Sequence, residues 1–126
     1  KEIKSEDLQL ALVQKQQCLN QIKLIFKNFD FLALPSAQVF PFDKNLQFPK
    51  KINNIELDTY HRWLEVFILS SLLELPTITI PVGFNKNGMP MGMQIIGRNK
   101  DDFKLFSFAK KYEDVFNFSK IKPKLN

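Results

Sequence analysis

Side chains that could carry chemistry are few in this chain of 126 residues, and they lie apart in sequence. Ser70-Ser71 is the only serine pair, while Cys18 and His61 are the only cysteine and histidine. A hydroxyl or thiol becomes an effective nucleophile when a base lies within hydrogen-bond reach and backbone donors stabilise the oxyanion. The serine pair lies inside an apolar run without neighbouring glycines, so we predict a mid-helix pair that bonds back to the preceding turn.

The other candidates favour structural roles. Cys18 falls on the apolar stripe of a predicted helix and is expected to be a buried structural thiol. A single cysteine and a single histidine exclude an internal disulfide and a zinc set, which needs about four ligands. Asp101-Asp102 is predicted to cap a helix, and His61 to lie at the surface. Because no phosphate-binding glycine pattern occurs either, we expect neither a metal nor a cofactor.

The composition limits the classes of partner. The formal charge of +5 would suit nucleic acid, but most lysines are spread along the chain, so we predict a solvated surface and no nucleic-acid binding. No apolar run approaches the roughly 18 residues of a membrane span, so we expect no membrane insertion and a cytoplasmic protein. The chain begins at Lys1 rather than methionine, which predicts a fragment or a processed product.

Apolar periodicity predicts the elements that must position these residues. Spacings of three and four residues indicate helices, alternation indicates strands, and proline with asparagine indicates loops. The aromatic residues of the loop could line a pocket or anchor the loop to the body of the protein. In order, we predict a helix capped by Ser5, a strand over 30–35 buried on both faces, a loop over 37–57, a largely buried helix over 60–74, strands at 77–80 and 91–96, a helix capped by Asn99 and a frayed end from Asn117.

The predicted strands at 77–80 and 91–96 are joined by Asn87-Gly88, a strong turn signal, and should form an antiparallel hairpin. The earlier strand, the helix over 60–74 and the strand at 77–80 should form a right-handed parallel crossover. We therefore predict an α/β fold with a mixed sheet of about three strands packed by helices. One domain, 1–126, is expected.

The amino-acid sequence of this hairpin resembles the C-terminal hallmark of the amidase signature family. That hallmark combines a Leu-Pro, an alternating strand, Pro-x-Gly-Phe, a turn and Gly-Leu-Pro-x-Gly-Leu-Gln-Ile-Ile-Gly. Methionines replace two of its leucines, and these exchanges conserve volume. In this chain the hallmark reads Leu75-Pro76, Pro81-Val82-Gly83-Phe84 and Gly88-Met89-Pro90-Met91-Gly92-Met93-Gln94-Ile95-Ile96-Gly97.

The resemblance implies a fragment of the amidase signature fold that is inactive alone. The family uses a serine nucleophile, a second serine and a lysine base with a Gly-Gly-Ser-Ser segment, and this region is absent here. The intact parent would be a hydrolase that converts a carboxamide into a carboxylate and ammonia, and no catalytic residue is assigned to this chain. Ser71 and Glu74 stand where the family commonly has asparagine and glycine.

The predicted substrate wall is one face of the helix over 60–74, where steps of three and four residues align Tyr60, Trp63, Phe67 and Ser71. Its partner in the intact enzyme would be a small amide. The A subunit of a tRNA-dependent amidotransferase is an alternative within the family, although Tyr-His-x-Trp at 60–63 is more similar to free-standing amidases. A small basic binding domain is the alternative from another class. Apolar faces left open by missing chain predict self-association.

Overall fold

The computed structural model contains both helices and strands and describes residues 3–122. The bounds of the elements follow in chain order. They are α1 (Ser5–Asn28), β1 (Leu32–Pro35), β2 (Lys51–Ile52), β3 (Ile55–Glu56), a first 3₁₀ helix (Tyr60–Phe67), α2 (Ile68–Leu72), β4 (Thr77–Phe84), β5 (Pro90–Ile96), α3 (Asp102–Phe116) and a second 3₁₀ helix (Phe118–Lys120).

The main sheet has the strand order β1-β5-β4, and each neighbouring pair is antiparallel. The predicted α/β class, three-stranded sheet and antiparallel hairpin are confirmed. β1 and β4 run in the same direction, as the predicted crossover requires, but β5 lies between them. Every neighbouring pair is therefore antiparallel, and the sheet is not mixed as predicted. Ile95 and Ile96 explain this order, because a strand with consecutive buried side chains needs cover on both faces and pairing at both edges.

The two faces of β5 support two separate apolar clusters. Ile96 packs with Ile22 and Phe26 of α1 and with Leu73, which follows α2. On the opposite face, Ile95 packs with residues of β4 and α3, as alternation along a strand requires. The sheet is therefore the middle of three layers, with α1 and α2 on one side and α3 on the other.

β1 is an edge strand, and its burial differs from the prediction. Leu32 and Leu34 are half-buried, whereas Ala33 and Pro35 are exposed. The unbroken apolar run predicted burial on both faces. Only one face of β1 is covered by α1 among the described residues, and its outer edge has no partner strand there. Pro35 suits the end of such an edge because it lacks an N–H group.

The turn between β4 and β5 confirms the prediction from Asn87-Gly88 and adds a second asparagine. The Asn85 side-chain oxygen accepts hydrogen bonds from the backbone N–H groups of Asn87 (2.9 Å) and Met89 (3.0 Å). Gly88 has a φ of +76°, a left-handed conformation that glycine adopts at little cost. The turn is thus fixed by one side chain and one glycine.

The starts of the long helices lie beside the predicted caps. The N-cap of α1 is Lys4 rather than Ser5, and the Asp7 carboxylate accepts the Lys4 N–H at 3.0 Å. The N-cap of α3 is Asp101 rather than Asn99. A carboxylate in the first turn satisfies backbone donors and favours the positive end of the helix dipole, which explains the choice at α1.

The predicted buried helix over 60–74 is the clearest departure. It divides into the first 3₁₀ helix and the five-residue α2, and much of its surface is exposed, including about half of Ile68 and Leu72. Its apolar composition predicted cover on most sides. The described residues provide cover mainly at Ser70 and Leu73, because α2 is too short to follow the body of the protein.

The remaining connections are mostly irregular. The predicted loop over 37–57 contains the short β2–β3 hairpin, whose turn residues Asn53 and Asn54 have positive φ values. Asn117 ends α3 in a left-handed conformation, and the second 3₁₀ helix follows where a frayed end was predicted. The last part of that prediction, 123–126, lies outside the described residues.

Candidate functional site

Gln94 is a buried polar residue in the middle strand of the main sheet. Its side chain is 1% exposed, on the face of β5 that carries Ile96. Its Nε2 group donates to the carbonyl oxygens of Pro35 (3.0 Å) and Val66 (2.9 Å). Burial strengthens such bonds and makes their loss costly. One side chain therefore fastens the end of β1 and the first 3₁₀ helix to β5.

The segment after β1 lies directly against β5. The Ser36 N–H group donates to the Gly92 carbonyl oxygen at 2.9 Å. A Cβ atom on Gly92 would lie 2.6 Å from Ser36 Oγ and 3.2 Å from a methyl group of Thr79. Glycine is thus required at 92 by the close approach of Ser36. This contact lies two residues before Gln94, whose two side-chain hydrogen bonds are here named the Gln94 clamp.

An aromatic hollow, here named the Trp63 recess, lies beside this contact. Its volume is about 240 Å³. The rings of Phe42 and Trp63 meet edge to face with centroids 5.7 Å apart, an arrangement that aromatic pairs favour. The buried Trp63 Nε1 has no hydrogen-bond partner among the described residues. The lining residues are Ser36, Ala37, Val39, Phe40, Pro41, Phe42, Trp63, Pro90, Met91 and Gly92.

The structure divides the predicted substrate wall into two groups. Tyr60 and Trp63 pack edge to face with ring centroids 6.0 Å apart, and Trp63 lines the Trp63 recess. Phe67 and Ser71 line a different hollow with Leu64, Ile68 and Leu72, here named the Phe67 recess, of about 340 Å³. A 3₁₀ helix repeats every three residues, so a step of three keeps a common face and the step from 63 to 67 does not.

The loop phenylalanines divide similarly. Phe40 and Phe42 line the Trp63 recess, as one of the two interpretations of the loop predicts. Phe48 packs instead against Tyr60, with ring centroids 5.9 Å apart, and the Lys50 ammonium lies 3.7 Å from the Phe48 ring centre. Phe48 is therefore an anchor, whereas the other two contribute to a concave surface.

No catalytic constellation forms among residues 3–122. The Ser70 hydroxyl donates to the Phe67 carbonyl oxygen at 3.3 Å, the back-bond predicted for a mid-helix serine. His61 is exposed beside Tyr60, and Cys18 is half-buried against the α1 side of the core. Within the same residues, no three His, Cys, Asp or Glu side chains gather into a metal-binding group. Among the described residues, neither the hydroxyl of Ser70 nor the thiol of Cys18 lies beside a base that could activate it.

Ion pairs at the surface fix the ends of elements and shift the pKa values of two carboxyl groups. A hydrogen bond and charge from Lys104 lower the pKa of Asp30, with Nζ–Oδ1 at 2.6 Å. Lys15 lowers the pKa of Glu74 in the same way at 2.7 Å. These pairs join α3 to the start of β1 and α1 to the turn before β4. They lie outside both recesses.

The sequence interpretation assigned no role to Gln94 or Ser36. The available signal for Gln94 was a single amide side chain inside the apolar run from Met91 to Ile96. A buried amide requires partners, so that pattern predicts a clamp. Its partners, the carbonyl groups of Pro35 and Val66, are far away in sequence and could not be identified from the run alone.

The chain is similar in sequence and in fold to known proteins. A family model described as Amidase matches residues 1–106. A bacterial aryl acylamidase of the amidase signature enzymes superposes on 94% of this chain with a TM-score of 0.81 at 22% identity, so the likeness establishes the fold. The chain belongs to the amidase family, and the family resemblance of the hairpin is confirmed.

Two of the relatives with similar sequences are A subunits of amidotransferases. The A subunit of the glutamyl-tRNA(Gln) amidotransferase of Borreliella afzelii is 36% identical over 88 residues, which cover 68% of this chain and 17% of that protein. Its counterpart in Thermodesulfovibrio yellowstonii is 32% identical over 108 residues, covering 84% of this chain and 21% of that protein. The chain thus spans about a fifth of the length of these relatives, and 24% of the aryl acylamidase chain.

Proposed function

We propose that this chain is the C-terminal structural part of an amidase that hydrolyses a carboxamide to a carboxylate and ammonia. The match of residues 1–106 to the Amidase family is the observation that supports this function most directly. The chain contributes sheet strands and part of a substrate wall. It is inactive alone, because nucleophile, base and oxyanion donors must come together in one site.

The proposed wall has two concave surfaces separated by the first 3₁₀ helix. The Phe67 recess is apolar except for the exposed Ser71 hydroxyl, and the Trp63 recess is aromatic with a buried indole N–H group. Binding sites commonly combine such apolar linings with a few polar groups. Tyr60 stands at the rim between the loop and the helix and is about half exposed. All four residues of the predicted wall thus remain candidates, in two groups.

A graft tests the proposed function. Residues 1–106 would replace the matching segment of the amidotransferase A subunit of Brevibacillus brevis, a relative 32% identical over 101 residues. Assayed together with the partner proteins of its host, the graft should release ammonia from glutamine or from a simple amide such as benzamide, and the isolated 126-residue chain should release none above buffer. The assay measures ammonia at equal protein concentrations.

The controls separate loss of fold from loss of function. The graft with Phe67→Ala and the graft with Val82→Ala would be compared, because Val82 is a partly exposed residue outside both recesses. A raised KM with Phe67→Ala alone supports the substrate wall. A folded graft without activity, or turnover by the isolated chain at an enzymatic rate, contradicts the proposal. Circular dichroism establishes whether each graft is folded.

The A subunit of an amidotransferase is the second candidate within the family. The names of the Borreliella afzelii and Thermodesulfovibrio yellowstonii relatives favour it. In that case the natural protein that contains this chain needs a second protein for activity. Purification of the natural protein under mild conditions distinguishes the two candidates: a stoichiometric partner required for turnover favours the amidotransferase, and full activity as a single chain favours the free amidase.

The proposed partners of the isolated chain are copies of itself rather than nucleic acid. Phe103 is 84% exposed, Val115 72% and Phe106 63%, so α3 presents an apolar outer surface. Light scattering should therefore show association that increases with concentration; a monomer stable to concentration contradicts it. Salt-dependent binding to a DNA or RNA oligonucleotide would favour the small basic binding domain instead.

The proposed location is the cytoplasm, and the intact enzyme is proposed to act on a small amide. Among the described residues, no helix is both long and apolar enough to cross a membrane. Fractionation of cells that produce the protein, with detection by an antibody against this chain, tests the location. Recovery in a membrane or secreted fraction would contradict it.

A further inference from the structure

A deep cleft, here named the α1 cleft, lies on the side of the molecule away from α3. It has a volume of about 890 Å³, within the usual range for a site that holds a small organic ligand. One wall is the C-terminal half of α1, and the other is formed by the residues just before β4 and just after β5. Its lining residues are Lys15, Leu19, Ile22, Lys23, Phe26, Lys27, Leu73, Glu74, Leu75, Arg98 and Asn99.

The floor of the α1 cleft is apolar and continuous with the core. Ile22, Phe26 and Leu73 are at most 7% exposed, and each also packs in the cluster around Ile96. Leu19 and Leu75 extend this surface toward solvent. An apolar ligand segment placed here would remove aliphatic surface from water, at about 25 cal/mol per Å².

The rim of the α1 cleft is strongly cationic. Lys23 and Lys27 follow one another by one helical turn and are exposed. Arg98, two residues after β5, lines the same cleft, with one guanidinium nitrogen 3.3 Å from the Phe29 carbonyl oxygen and 3.8 Å from the Asp30 carboxylate. The acidic groups near the rim are Asp30, which Lys104 pairs at 2.6 Å, and Glu74.

The single carboxylate among the lining residues belongs to the other end of the cleft. Glu74 is paired with Lys15 at 2.7 Å. The end formed by Lys23, Lys27 and Arg98 therefore keeps an excess of positive charge. An apolar floor with cations at one end is complementary to a molecule that has an apolar chain and one anionic head.

We infer that the α1 cleft binds a single amphipathic carboxylate, with its apolar chain on Leu19, Ile22 and Phe26 and its head between Lys23 and Arg98. Walls on two sides favour one dissolved molecule over a membrane surface, which needs a flat or convex apolar face. The cleft does not overlap the Trp63 recess or the Phe67 recess. The inference is independent of the proposed amidase activity.

Titration calorimetry on the full 126-residue chain tests this site with dodecanoate below its micelle concentration. We expect saturable binding with one molecule per chain, weakened by added salt because the rim charges are exposed. Dodecyltrimethylammonium carries the same apolar chain with a positive head, and butanoate carries the same head with a short chain. Both should bind at least about tenfold more weakly, since each lacks one of the two complementary features.

Charge-reversed variants locate the site. Lys23→Glu with Lys27→Glu should weaken dodecanoate binding by roughly tenfold or more, because two attractions become repulsions. Lys44→Glu with Lys86→Glu makes the same change in net charge at exposed positions outside the cleft and should leave binding unchanged. Circular dichroism verifies that both variants fold.

Several results would overturn the inference. Equal binding of dodecyltrimethylammonium, equal weakening by both pairs of substitutions, or many molecules bound per chain would each show that dodecanoate merely coats exposed apolar surface. Absence of saturable binding would show that the cleft takes no such ligand. A vesicle of anionic phospholipid that binds through Lys23 and Lys27 while dodecanoate does not would assign the rim to a membrane instead.

Discussion

The segment that runs from the first 3₁₀ helix through α2 to Leu73 has two sides, and the chain covers them very differently. Toward β5, the Val66 carbonyl oxygen is held by the buried Gln94 amide, and Leu73 packs against Ile96. Toward solvent, Ile68 and Leu72 are about half exposed in the open Phe67 recess. The composition of this segment is apolar on both sides, yet only one side is covered by the described residues.

This difference shows which parts of the structure are stabilised by contacts among the described residues themselves. Around β5, backbone pairing, packing and side-chain hydrogen bonds all support one arrangement, which is the condition for a specific fold. On the outer surfaces, large apolar side chains such as Phe103 and Val115 face solvent. Substitutions at β5 should therefore be costly, and substitutions on the open surfaces should change binding or association more than stability.

The largest expected effect is at the centre of the sheet. Ile96 is fully buried, so Ile96→Ala should lower the free energy of unfolding by about 2–5 kcal/mol through lost packing and a cavity. Val115→Ala on the exposed side of α3 should change it by less than about 0.5 kcal/mol. Urea unfolding measures both, and similar losses at the two positions would remove the contrast between interior and surface.

The next effect concerns the Gln94 clamp. Gln94→Leu keeps a side chain of similar size but leaves the Pro35 and Val66 carbonyl oxygens without this donor, which should cost about 1–3 kcal/mol. Trp63 is the only tryptophan, so its fluorescence should also shift as the first 3₁₀ helix loosens. The exposed Gln47→Leu is the control. An unchanged emission spectrum with unchanged stability would show that the clamp positions nothing.

The close contact at Gly92 should have a comparable effect on stability. Gly92→Ala places a Cβ atom 2.6 Å from Ser36 Oγ, and overpacking of this kind costs roughly 1–3 kcal/mol. Ser36→Gly removes the nearest atoms, so part of the loss should return when both substitutions are combined. A double-mutant cycle measured by urea unfolding tests this. Strict additivity would mean that the two residues do not press on one another.

At Glu74, which has a left-handed backbone conformation, two opposite effects on stability should nearly cancel. Glu74 has a φ of +55°, which glycine adopts more readily than other residues. Glu74→Gly should relieve this backbone strain while it removes the exposed pair with Lys15, so the unfolding midpoint should move little. Glu74→Ala removes the pair without relieving the strain and should be less stable than Glu74→Gly. The reverse order would contradict a strained backbone at 74.

The smallest expected effect is the dependence of stability on pH through Asp30 and Glu74. Both pKa values are lowered in the folded chain by their lysine partners. A lowered folded pKa adds stability above the unfolded pKa, near 4, and this stability is lost as pH falls through the folded value. Lys104→Met with Lys15→Met should flatten unfolding midpoints measured between pH 6 and about 3. An equally steep decline would assign it to other carboxyl groups.

Particular residues show how far the sequence could be interpreted. The Asn87-Gly88 turn, the strands that it joins and the helix α1 follow from local rules, and the structure confirms them. The apolar stripe predicted for α1 is covered only in its C-terminal half, around Ile22 and Phe26, whereas Leu8 and Leu12 are exposed. The order β1-β5-β4 could not be obtained from the same rules, because a local pattern identifies a strand without identifying its neighbours. The first 3₁₀ helix was missed for a related reason: an apolar run does not distinguish a repeat of three from one of 3.6.

The candidate site divides in the same way. Tyr60 and Trp63 are three residues apart and remain together under either helical repeat, whereas Phe67 and Ser71 line a separate recess because the helix changes type between the two pairs. The Gln94 clamp was visible as an amide in an apolar run, but its acceptors come from two distant segments. Spacing thus predicted local faces and could not predict how those faces meet.

The sequence by itself determined the family and the hairpin, because turn residues, alternation along a strand and the order of motif residues are local features. Only the tertiary structure decided that Gln94 joins β1 and the first 3₁₀ helix to β5, and that the apolar wall residues open into two recesses. Those outcomes depend on hydrogen bonds and packing between segments up to 59 residues apart. Such contacts form when the chain folds and leave no period in the sequence.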